Sequence, residues 1–323
     1  MRRPHACCGD RQGGAAGFIV VAVLWILGAL AMLVSIYAVY VTNAAAGLDV
    51  NDDRLQAEAS MSAALELTAH QLATVEAKSR PTSGSFTFAI GRSTVTADFR
   101  SEAARIDLNV APKPLLAGLF AGLGAKTPDA EYYADRIIGW RTEAPATGQQ
   151  NPATGQQNPA TGQQNDEAAM YRTAGISYAP RQGPFASVDE LWLVLGLPPI
   201  LVERALPHVT VFSGRPEINI LDAQPEVLAA LPGMTPDRLY GILAQRGAGP
   251  ANAELVLGLL GPAKAAATVE GSKAIRVAAR IRFGNGRQVG SEAVILTLDD
   301  AAEPFRVLSW HDDFDGARRA DQR

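Results

Sequence analysis

Cysteine is almost missing from this chain of 323 residues, and the two present, Cys7 and Cys8, are adjacent. Neighbouring cysteines rarely make a structural disulfide, because a bridge usually needs Cα atoms ~4.4–6.8 Å apart with converging Cβ vectors. Histidine is also scarce. His5, His70, His208 and His311 lie far apart, and no zinc-ligand spacing emerges. Neither charge dominates, with 29 lysines and arginines against 33 acids, so the chain lacks the basic surplus of a protein built to grip nucleic acid. Catalytic signatures are absent as well: Gly258, Gly261 and Lys264 miss the P-loop spacing, and no nucleophile elbow appears. Gly284-Asn285-Gly286 lies between two strand-like runs and reads as a turn, not as a dinucleotide fingerprint. The sequence therefore points away from catalysis. At 47% hydrophobic residues the chain is also too apolar to be disordered throughout.

What is abundant is concentrated at the start. Residues 1–17 are polar, with Arg2, Arg3 and Arg11 against Asp10, and residues 18–41 then run without a charge. A helix of that length reaches roughly 36 Å, enough for a hydrocarbon core of ~30 Å. The arginines precede the span and the next charges are Asp49, Asp52 and Asp53, so the N-terminus is expected to stay cytoplasmic and the rest to be exported. Three readings compete. A secretory signal cut near Ala44-Ala45-Ala46 needs an apolar stretch of only ~7–15 residues. A plain uncleaved anchor satisfies the length alone. The third rests on Gly17-Phe18, a glycine at the boundary between a basic leader and an apolar helix. That junction resembles a type IV prepilin leader, which implies cleavage after Gly17 by a prepilin peptidase and N-methylation of Phe18. Such a cut removes both cysteines and leaves the remainder two units more negative.

The fifth residue after the cut is Ala22, where most pilins and pseudopilins have a glutamate. A subunit with no neighbour above it would hold that acid unpaired in an apolar bundle, at high cost. Its absence resembles the protein K subunit of the type II secretion pseudopilus.

Residues 43–78 continue as an amphipathic helix ended by Pro81 and Gly84. Ser85–Ile90 and Ser93–Arg100 read as a hairpin around Gly91-Arg92, and Ala274–Phe283 and Arg287–Leu298 as another around Asn285-Gly286, with a further strand over Phe305–Trp310. Residues 111–260 are mostly helical. The expected fold is α+β, a pseudopilin fold in which a long N-terminal helix packs on an antiparallel sheet, with a large inserted α-helical domain.

Two repeats fall inside that insertion. Residues 145–165 are three copies of PATGQQN, which cannot build a core and read as a mobile loop. The second repeat is degenerate: residues 106–119, from Ile106-Asp107, resemble residues 218–231, from Ile218-Asn219, each an extended piece followed by a proline and an apolar helix. Both resemble helix-hairpin-helix modules, so a membrane-anchored DNA receptor is the competing reading. Against it, the turn Pro232-Gly233-Met234-Thr235 lacks a second glycine, and residues 214–250 hold three arginines against four acids. Between the repeats, Ser187 and Glu190 have capping-box spacing for a helix start.

The order of these pieces resembles a type II secretion minor pseudopilin of the protein K type, over nearly the whole chain. The resemblance implies a leader at 1–17, a transmembrane part at 18–41 and the periplasmic half of the helix at 42–80. First strands follow at 81–104, an α domain at 105–213, a second helix-hairpin-helix-like module at 214–270, final strands at 271–311 and a flexible tail at 312–323. It implies no enzyme activity, an inner-membrane location with a periplasmic domain, and a role in capping the pseudopilus tip and starting its assembly. Implied partners are minor pseudopilins of the I, J and H types, the major pseudopilin, prepilin peptidase and the inner-membrane secretion platform, with no nucleic acid. Protein K subunits commonly bear an acidic, calcium-competent loop after an Ile-Ile-Asp-Trp-Arg-like helix end. Here Ile137-Ile138-Gly139-Trp140-Arg141 lacks that aspartate, which leaves Glu143, Asp166 and Glu167 as weak calcium candidates. Asp312, Asp313 and Asp315 read as a solvated tail.

Overall fold

The computed structural model describes residues 15–76, 79–143, 167–246, 253–298 and 303–313. Residues 1–14, the PATGQQN repeats, Asp166 and the tail from 314 lie outside them. Helix α1 spans Ala15–Ala73; residues up to Ala59 form one unit and those from Ser60 onward a second.

In the second unit a five-stranded antiparallel sheet has the order β1 (Ser83–Ile90), β2 (Ser93–Ser101), β7 (Ala274–Arg282), β8 (Gln288–Thr297), β9 (Phe305–Asp313). Both expected hairpins form. Gly91, at φ +58°, opens the two-residue turn between Ile90 and Ser93, where a side chain would strain the backbone. At the other, Gly286 N donates to Phe283 O (3.0 Å) and Phe283 N to Arg287 O (2.9 Å), with Gly286 at φ +84°. Alternation sorts the faces. Val95, Ala97 and Phe99 pair across to Ile281, Ala279 and Val277, all buried, while Asp98, Arg100, Arg276 and Arg280 occupy the opposite face. The buried stripe Met61, Ala64, Leu65, Thr68, Ala69 and Leu72 has helical spacing, the pattern of a helix with one apolar face turned inward.

Three expectations need correction. The long helix stops at Ala73, before Pro81: the Thr74 hydroxyl donates to Gln71 O (2.9 Å) and competes with the next helical bond. Gly84 is no helix stop; it lies in β1, where a Cβ would meet the Phe99 ring at 2.6 Å. Asp312 and Asp313 are not tail residues but the end of β9, where Asp312 Oδ1 accepts from the Ser291 hydroxyl and Trp310 Nε1, both at 2.8 Å.

The helical module enters between β2 and β7 and has its own core. Its first half holds β3 (Ile106–Asp107), α2 (Lys113–Gly122), α3 (Thr127–Arg141), α4 (167–173), α5 (Pro199–Ala205) and β4 (Val209–Thr210), with β3 and β4 parallel. The second holds β5 (Ile218–Asn219), α6 (Pro225–Ala229), α7 (Pro236–Arg246), α8 (Ala253–Leu259) and β6 (Ala267–Thr268), with β5 and β6 parallel. The degenerate repeat is thus a repeated topology, and its local bonds repeat too. Asp107 Oδ1 accepts from Asn109 N at 2.8 Å, and Asn219 Oδ1 from Leu221 N at 2.9 Å. Leu108 N donates to Thr210 O, and Ile220 N to Thr268 O. The segment after Ser187 forms only a 3-10 helix, Val188–Leu193. Ser187 caps Asp189 N, while Glu190 reaches back to Ala186 N (3.1 Å), one residue beyond the Ser187 N of the expected box.

Candidate functional site

Chemistry is expected at two places in this chain: the N-terminal junction and the loop after α3. The backbone is helical through Gly17 and Phe18, and Ala22 is half-buried on the same helix. Val20–Val41 has mean hydropathy 2.5 and none of it is buried; Trp25 is 77% exposed and Tyr40 69%. Among the described residues it is the one helix long and apolar enough to cross a membrane, and an apolar surface on every side needs lipid or partner helices. The Ala22 position adds no charge to it.

At the end of α3, Ile137 and Trp140 point into the core. The Trp140 ring lies 6.1 Å from Phe185 and 6.0 Å from Tyr171, and its Nε1 donates to Glu190 Oε2 (3.0 Å). Glu190 Oε1 pairs with Arg181 (2.8 Å), which holds the loop before the 3-10 helix against α3. Asn109 braces the same loop from the other side, accepting from Phe185 N (2.7 Å) and donating to Phe185 O (3.1 Å).

The calcium candidates are Glu143, Asp166 and Glu167. Asp166 lies outside the described residues, Glu143 is exposed, and Glu167 is buried at 4% exposure and paired with Arg136 Nη1 at 2.7 Å. Gly139 explains the arrangement: a Cβ there would lie 2.5 Å from Glu167 Oε2, so the missing aspartate is what admits the Glu167 carboxylate. Calcium needs ~6–8 oxygen ligands, and here a guanidinium already holds Glu167 Oε2. The described residues do not fit calcium, and they contain no group of three or more His, Cys, Asp or Glu able to hold a metal.

Burial pushes the Glu167 carboxyl above its usual value, and Arg136 only partly offsets this. A folded-state pKa above the unfolded one means that ionised Glu167 costs stability at neutral pH and stops doing so as the pH falls through the folded value. Wild type should therefore gain stability relative to Glu167→Gln between pH 7 and pH 5, measured by urea midpoints of both proteins. A wild type that instead loses stability relative to the variant on acidification would show that the Arg136 pair outweighs desolvation.

Two arginines, to which the sequence analysis gave no structural role, complete the module. Arg141 ends α3 and donates to Leu108 O and, at 2.8 Å, to Ala111 O; Arg246 ends α7 and donates to Ala223 O at 2.7 Å. Ala111 and Ala223 are equivalent positions of the degenerate repeat, so one arginine closes the strand-to-helix turn in each half. An arginine closing the second helix of each half was the available signal. Burial lowers both arginines from their usual pKa.

The hairpin amides that would meet a phosphate are engaged internally. Gly124 N donates to Ala121 O, Ala125 N to Phe120 O and Met234 N to Leu231 O. These turns therefore leave little donor capacity facing outward.

Residues 103–214 match the family model for type II secretion system (T2SS) protein K. No curated protein matches the sequence. By fold, the chain is similar to a chain of the GspK-GspI-GspJ complex from the enterotoxigenic Escherichia coli type 2 secretion system, at 18% identity and a TM-score of 0.55, over 81% of this chain and 97% of that one. The family match over 103–214, inside a chain that carries this fold, identifies the protein as similar to type II secretion system protein K.

Proposed function

We propose that the protein is a minor pseudopilin of a type II secretion system, which caps the tip of the periplasmic pseudopilus and helps to start its assembly. The observation that carries this reading is the protein K segment set between neighbouring strands β2 and β7 of an antiparallel sheet, in a chain that begins with an exposed apolar helix. Prepilin peptidase cuts after Gly17 and methylates Phe18. Residues 18–41 anchor the mature chain in the inner membrane, and the remainder lies in the periplasm. The protein works by assembly and not by catalysis. The similar complex joins GspK to GspI and GspJ, which supports I-type and J-type minor pseudopilins as partners. The H-type subunit, the major pseudopilin and the inner-membrane platform complete the set. Ala22 lets the subunit stand without a neighbour above it, because no carboxylate is left unpaired there, and the bulk of the helical module opposes further addition.

N-terminal sequencing of the membrane-extracted protein tests the reading. It should return N-methylated Phe18, and I-type and J-type subunits should co-purify. An intact Met1, or a start beyond Ala46, would falsify the prepilin assignment.

A further inference from the structure

A cleft of about 550 Å3 opens on the charged face of the sheet, between β2, β7 and α6, within the ~300–1,000 Å3 range of ligand sites. Its polar lining includes Arg100, Arg105, Arg276, Glu102, Glu292 and Gln224.

The charges at its edges are unevenly satisfied. Asp98 is bound by Arg280 at 3.0 Å. Glu102 accepts from Arg276 Nε at 2.7 Å and Nη2 at 3.1 Å, and from the Thr210 hydroxyl, while Glu292 accepts from Arg276 Nη1. Every carboxylate of the cleft is therefore engaged. Arg105, by contrast, is partly buried and makes no side-chain hydrogen bond or close ion pair among the described residues. Burial and the repulsion of Arg276 push its pKa down by more than Glu102 and Glu292 restore it. Arg100 stands exposed on the rim of the same face, its side chain also without a hydrogen bond among the described residues. The cleft holds desolvated cationic capacity that its own acids do not use.

The missing partner has a definable chemistry. A guanidinium is a planar fork that matches a carboxylate in two parallel bonds. One surplus charge suits a monoanion, and Glu102 and Glu292 would repel a dianion such as phosphate. Ala104, Val227 and Ala278 also line the cleft, and offer apolar contact to whatever bears the acid. We propose that this cleft binds a carboxylate on a short apolar stem, held by the Arg105 guanidinium with Arg100 closing over it from the rim. The stem is either a free acyl amino acid or the end of a peptide chain, and the site does not depend on the secretion reading.

The test is calorimetry and thermal unfolding of the full chain in detergent, with N-acetylleucine, N-acetylleucinamide and inorganic phosphate as probes. N-acetylleucine should bind saturably at concentrations up to about 50 mM. The neutral amide and Arg105→Gln should each weaken binding by about tenfold or more, as expected for loss of a charge-assisted bond. Arg100→Gln lies on the surface, retains the fold, and should weaken it severalfold; it keeps the test decisive if Arg105→Gln misfolds. A short peptide with a free C-terminus that binds more tightly than N-acetylleucine, while its C-terminal amide does not, assigns the site to chain ends. Equal binding of both acids assigns it to small molecules. The proposal is overturned by equal responses to acid and amide, by unchanged binding in both arginine variants, by phosphate binding more tightly than N-acetylleucine, or by no saturable response.

Discussion

Replacing Arg276 with alanine should lower stability by about 3–5 kcal/mol, the cost of leaving a buried charge without its partner. Glu102 is 1% exposed and receives two bonds from Arg276, so the variant strands an ionised carboxylate next to the Thr210 hydroxyl. Burial by itself would lower the Arg276 pKa; the hydrogen bonds and charge of Glu102, with Glu292 behind them, raise it above the usual arginine value instead. The position magnifies the loss. Glu102 directly follows β2, Arg276 lies on β7 and Thr210 on β4, so the triad joins the sheet to the helical module. A urea titration should show a lower midpoint, and Arg276→Met combined with Glu102→Gln should recover much of it, since both charges then leave together. A single-variant loss below about 1 kcal/mol would mean that water reaches Glu102 and replaces the arginine.

The second large effect is expected at Gly118. In an exposed helix, glycine to alanine gains about 0.5–1 kcal/mol. At Gly118 the sign should reverse, because a Cβ would fall on the Ala230 carbonyl oxygen and lie 3.0 Å from its carbon. A carbonyl at the end of α6 cannot swing aside as a side chain does, so α2 and α6 must separate, which costs about 1–3 kcal/mol. Gly122, the last residue of α2, is the internal control: a Cβ there meets nothing within 4 Å, and Gly122→Ala should be neutral or stabilising. The contrast is read from thermal midpoints of the two variants. If both alanines stabilise, the two halves of the module are looser than this contact requires.

Much of the chain was legible because its signals are local. Twenty-four uncharged residues define a span whatever surrounds them, and alternation around Gly91-Arg92 and Asn285-Gly286 defines hairpins, because period and turn chemistry act over a few residues. The repeat at Ile106 and Ile218 was visible for the same reason, since an extended pair followed by a proline and an apolar helix is written in adjacent positions. Misreadings came where a short-range competitor won. Thr74 ended α1 before Pro81, and the run after Ser187 closed as a 3-10 turn.

The site was less legible. Glu167 was chosen as a calcium candidate from its place in an acidic loop, yet its partner is Arg136, 31 residues earlier, and the space it fills exists because residue 139 is a glycine. Gly139 therefore looked like a lost ligand in the sequence and proved to be a made cavity in the structure. Nothing in either local stretch encodes that meeting.

By itself, then, the sequence determined the apolar N-terminal helix, the paired strands on either side of the helical module and the doubled helical motif within it, because hydrophobic period, turn residues and charge act along the chain. Only the tertiary structure decided which charges meet. Arg276 with Glu102, Arg136 with Glu167, and an Arg105 side chain that makes no hydrogen bond among the described residues are set by the packing of elements distant in sequence, and the desolvation that makes each matter exists only once those elements have closed together.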